Sequence, residues 1–205
     1  MWQIEAANKM MLFLHEHIEP ASIELTGSIL DPASLDRFSD VDMTIHLASD
    51  TALGMTVFDH SPFGKVFGYE IQGDTLRICF EKGQAFDLTF TNAHFEAINE
   101  PERVTNAFWF IASMVLRKLG RGDHLIAAHL ALELCQMVIV MQMLERDDAK
   151  GTNIHRFGDR ESVPILELMP QGDILAMALH AGEHMENLEM KGKLNTLRKN
   201  VSALG

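Results

Sequence analysis

The feature that most narrows the fold is a change in the spacing of apolar residues close to position 100. Before it the chain reads as short β-forming runs, SIELT, VDMTIHL, KVFGYEI, TLRICFE and AFDLTFT, parted by Gly, Asp and Pro. After Pro101 such runs stop, and helical spacing takes over at 104–119, 123–146, 173–188 and 194–201. One earlier helix is expected, because Ile4, Ala7, Met11, Leu14 and Ile18 recur at intervals of three and four up to Pro20. The first half therefore reads as α/β or α+β and the second as all-helical, with the join near 92–102.

Short turns at Gln72-Gly73-Asp74 and Lys82-Gly83-Gln84 predict that the last three strands meander as antiparallel neighbours. The polar stretch 147–172 is too long for a plain connection in a compact domain. Within it His155 and Arg156 are candidates for contact with a phosphate or a polar substrate. Met137, Met141 and Met143 read as core filling, whereas Phe108 and Trp109 suit either packing or stacking on a flat ligand.

Charge restricts the partner. Lys+Arg 17 against Asp+Glu 29 leaves a net −12, which repels a phosphate backbone and argues against a nucleic-acid partner. A cationic small molecule suits that surface better. Cys79 and Cys135 stand far apart inside apolar runs, as buried free thiols of a reducing cytoplasm would. The apolar stretches 108–116 and 134–144 are shorter than the roughly 20 residues needed to cross a bilayer. The N-terminus, broken by Glu5, Lys9, His15, Glu16 and His17, lacks a signal-peptide pattern. A cytoplasmic protein without a membrane partner is expected.

The residues that carry chemistry lie at strand ends. SIELT runs straight into Gly27-Ser28, and the next strand opens with Asp40-Val41-Asp42. Side chains two apart on a strand point to one face, so Asp40 and Asp42 stand side by side and repel each other unless a cation offsets them. A hard divalent ion such as Mg²⁺ takes carboxylate oxygens and completes its shell with waters and substrate phosphates. Gly27 allows close backbone approach to a polyphosphate, and the Ser28 hydroxyl adds a donor. A third acid, Asp87, faces away from Phe86, Leu88 and Phe90 within AFDLTFT.

The run GSILDPASLDRFSDVDMTIHL resembles the signature of the nucleotidyltransferase superfamily: Gly-Ser, then Asp-x-Asp, then a third carboxylate on a later strand. Within that superfamily the chain is most similar to streptomycin-type aminoglycoside adenylyltransferases, with lincosamide nucleotidyltransferases next. LRICFEKGQAFDLTF resembles their hairpin into an Asp-Leu-Thr strand, and NAFWFIASMVLRKLGRGDHL their Phe-Trp-rich helix and basic turn. The resemblance implies an α+β chain, with a polymerase-beta-like mixed-sheet catalytic domain over 1–98 and a helical acceptor-binding domain over 99–205.

It further implies that Gly27 and Ser28 bind the triphosphate of ATP, and that Asp40, Asp42 and Asp87 hold two Mg²⁺ ions. The activity implied is transfer of AMP to a hydroxyl of a small polar, aminoglycoside-like acceptor. Where the family carries an acid as general base, this chain has His129, a residue type suited to the role, and Glu133 shares its face one turn later. The alternative is a regulatory or antitoxin-like module of the same fold whose helical half binds a protein. The Met-rich helices leave a homodimer open.

Overall fold

A computed structural model describes residues 2–202 except 32, 34, 147–172 and 189–191. It separates into two compact units, Met1–Ala97 and Ile98–Gly205. His155 and Arg156 lie outside the described residues.

The first unit opens with α1 (Trp2–His17) and continues with β1 (Ser22–Thr26), β2 (Val41–Leu53), β3 (Val66–Gln72), β4 (Thr75–Phe80) and β5 (Ala85–Phe95). Single 3₁₀ segments follow β1 at Gly27–Leu30 and β2 at Met55–His60. The five strands form one sheet in the order β1-β2-β5-β4-β3. Neighbours are antiparallel except the central pair β2 and β5, which is parallel, so the sheet is mixed. The expected β3-β4-β5 meander is present, each turn being only a few residues long.

Alternation along the strands sorts the sheet into two faces. Val41, Met43, Ile45 and Leu47 of β2, Leu76, Ile78 and Phe80 of β4, and Phe86, Leu88 and Phe90 of β5 are all buried. α1 packs against β2, and its Phe13 ring lies 6.0 Å from that of Phe58. The helix buries Ala6, Ala7, Met10, Phe13 and Leu14, whereas Ile4 is 47% exposed. The expected stripe through Ile4 and Met11 is thus rotated. Apolar residues adjoin at Met10-Met11 and at Leu12-Phe13-Leu14, so two neighbouring faces compete, and the one holding Phe13 buries more area.

The second unit consists of α2 (Glu100–Arg121), α3 (His124–Arg146), α4 (Ile174–Leu188) and α5 (Lys193–Ser202). α2 starts four residues earlier than the apolar spacing suggests, because Asn99 caps it. The Asn99 side chain accepts from the Glu102 amide at 2.9 Å, and Pro101 sits in the first turn, where a missing N–H costs nothing. At the other end Gly122, at φ +81°, closes the helix by donating to the Leu119 and Lys118 carbonyls. Phe108 and Trp109 are fully buried, which makes them core rather than a stacking platform. Met141 and Met143 are buried too, and Met137 is half-buried.

α3 corrects one expectation. Its 23 residues form a continuous helix long and apolar enough, by length and composition, to cross a membrane. The apolar stretch recognised at 134–144 is part of this longer element. Its buried residues, Ala127, Ala131, Leu134, Cys135, Val138 and Met141, recur at helical spacing, and α3 packs against α2 and α4. Those residues line one face against the bundle, while only 33% of the apolar window is buried and Leu125, Ile126 and Leu132 are exposed.

Candidate active site

The sheet's second face is a half-exposed array of polar residues. Pairing registers align Thr26 with Asp42, Asp42 with Asp87, Asp87 with Arg77 and Arg77 with Glu70, so a single row crosses all five strands. A second row runs parallel to it through Glu24, Thr44, Thr89, Thr75 and Gln72. Within that array the Thr75 and Thr89 hydroxyls lie 3.0 Å apart, and His46 Nδ1 lies 3.0 Å from the Thr91 hydroxyl.

Two carboxylates directly opposite each other on adjacent strands are unfavourable unless compensated. Asp87 is compensated by Arg77, whose Nε donates to Asp87 Oδ2 at 3.2 Å. The same guanidinium reaches Glu70 Oε2 at 3.7 Å. These three side chains are each 24% exposed, dry enough for the attraction to count and wet enough for a solute to compete.

Asp42 is placed by a different device. Gly27 has φ +67°, and a Cβ built on it would sit 2.1 Å from Asp42 Oδ2. The space a side chain would fill is held by the carboxylate. Only Gly meets both demands at once, a left-handed backbone and a carboxylate pressed against it. Ser28 follows, half-buried, in the 3₁₀ turn.

Asp40 precedes β2 and so belongs to no ladder, one residue before the strand that carries Asp42. The loop leading to it is tied down on both sides. Asp36 Oδ1 accepts from the Phe38 amide at 2.7 Å and from the Ser39 hydroxyl at 3.2 Å. Gln3 Nε2 and Trp2 Nε1 of α1 donate to the Asp36 and Arg37 carbonyls.

The structure therefore brings together Gly27, Asp42 and Asp87. Among the described residues no group of three or more His, Cys, Asp and Glu side chains gathers closely enough to cage a metal ion. His129 and Glu133 stand one turn apart on α3, the first exposed and the second half-buried. Sequence spacing missed Arg77 and Glu70, whose place in the acid row depends on cross-strand register.

No protein-family model matches the chain, and no curated protein matches it. The resemblance to nucleotidyltransferases thus rests on the motif residues alone.

Proposed function

We propose that the protein is a Mg²⁺-dependent nucleotidyltransferase that moves AMP from ATP to a hydroxyl of a small polar acceptor of the aminoglycoside kind. The observation that carries this reading is the in-register pair Asp42 and Asp87 on adjacent parallel strands, with Gly27 folded against Asp42. Their hard oxygens suit Mg²⁺, and Asp40, at the entry to the same strand, is the third candidate ligand. Bound there, the ion would offset charge on the α-phosphate and the leaving pyrophosphate.

The chain's own residues do the rest. The Gly27-Ser28 turn holds the outer phosphates through backbone amides and a hydroxyl. The acceptor oxygen bonds to the α-phosphorus as the bond to pyrophosphate breaks, and its proton passes to a general base. The candidate for that base is His129, with Glu133 one turn away on α3. A net charge of −12 favours a cationic acceptor. Cys79 and Cys135 are buried and not joined in a disulfide, which suits the reducing cytoplasm.

Arg77 favours a second reading. It already neutralises Asp87, as it would in a non-catalytic module of this fold whose acids serve only the sheet. Calorimetry with Mg²⁺ and ATP separates the two. The transferase binds them together, and Asp42→Asn abolishes that binding while circular dichroism stays unchanged. Equal Mg-ATP affinity and turnover in wild type and variant would sink the metal assignment, and no binding by the wild type would leave the module.

A further inference from the structure

A second constellation lies in the helical unit, away from the acids of the sheet in sequence and in chemistry. His180 and His184 are four apart on α4 and so share a face. Their Nε2 atoms share a hydrogen bond at 3.1 Å, so one of them carries a proton that a bound ion would displace, and the rings are nearly perpendicular at a centroid distance of 4.6 Å. A metal with bonds to nitrogen of about 2.0–2.1 Å sets two imidazole nitrogens about 3.3 Å apart in a tetrahedral shell and about 2.9 Å apart at a right angle. The observed separation falls between those two bites.

The outer contacts fit the same purpose. His180 Nδ1 faces Glu183 Oε2 at 3.5 Å, while Glu183 Oε1 accepts from Arg198 of α5 at 2.7 Å. With an ion at Nε2, a carboxylate on the Nδ1 side would favour the Nδ1–H form, the usual arrangement behind a metal-bound histidine. Both rings remain partly exposed, which gives an ion access from water and lets water complete its shell.

We propose that His180 and His184 form a chelating site for a borderline divalent transition ion of the Zn²⁺ type, oriented by Glu183 and distinct from the oxygen-donor site of the sheet. Imidazole selects Zn²⁺, Ni²⁺ or Cu²⁺, whereas Mg²⁺ prefers carboxylate and water. The site therefore does not depend on the nucleotidyltransferase reading.

The test is titration of the full chain with ZnCl₂ in excess Mg²⁺, followed by calorimetry and by ¹H–¹⁵N spectra of the imidazole rings. One Zn²⁺ should bind and should move the resonances of His180 and His184 together. His180→Gln and His184→Gln, which keep a polar side chain at each position, should each lose that event. Glu183→Gln should weaken it ten- to a hundredfold, and Asp42→Asn should leave it unchanged. A wild type that binds no Zn²⁺, Zn²⁺ shifts confined to other histidines, or equal affinity in the double His→Gln variant would each overturn the site.

Discussion

Gly27 is the residue on which the candidate site depends most directly. Its backbone is left-handed and its missing side chain is replaced by the Asp42 carboxylate. Gly27→Ala should therefore cost about 1–3 kcal/mol from backbone strain and should also push Asp42 out of the acid row, so Mg-ATP affinity should fall by more than stability alone explains. Denaturant unfolding and calorimetry on one preparation check both halves. Arg77→Leu leaves Asp87 facing Asp42 without its counter-charge, and a loss of about 1–3 kcal/mol is expected, against little for Glu70→Gln. If His129 is the base, His129→Ala should lose about 10²–10⁴ in turnover, His129→Asp should recover part of it, and Glu133→Gln should cost much less. His184 adds a pH effect. Its folded value lies below the unfolded one, chiefly through burial, so the unfolded chain takes up the proton more readily. Stability is then full above about 6.5 and declines as pH drops below it. Thermal melts from pH 8 to 5 with a chelator present should show this decline in the wild type and less of it in His184→Gln.

At the scale of elements, local punctuation was legible and pairing was not. SIELT is β1 and TLRICFE overruns β4 by one residue, Glu81, because Pro20 and Gly27 bound the first run and Gly73-Asp74 and Gly83 the second. The extension of β2 to Leu53 was hidden by the polar residues of ASDT and by a register shift between His46 and Thr51. The same limit applies to the site. Alternation shows that Asp42 and Asp87 face away from their apolar neighbours, but that Arg77 stands beside Asp87 follows from how the turn after Phe80 sets the β4–β5 register. The helix starts carry their own prediction. Asn99→Ala removes the 2.9 Å cap on α2 and should destabilise by about 1 kcal/mol, while Asn99→Asp should restore most of it. Urea midpoints of the three chains measure this.

At the scale of the whole molecule, a net −12 repels itself, so moderate NaCl should raise the melting midpoint through screening, and a fall with salt would contradict this. The order in which the sheet's strands are synthesised differs from their order in space. β5 is the last strand to leave a ribosome, yet it stands between β2 and β4, and His46 and Thr91 of the central pair are 45 residues apart. Until Ala85–Phe95 arrives, β2 and β4 each present an unpaired edge with an apolar face. Closing that separation is slow compared with forming the β3-β4 hairpin, so a chain cut before Ala85 should aggregate during synthesis rather than wait for its centre.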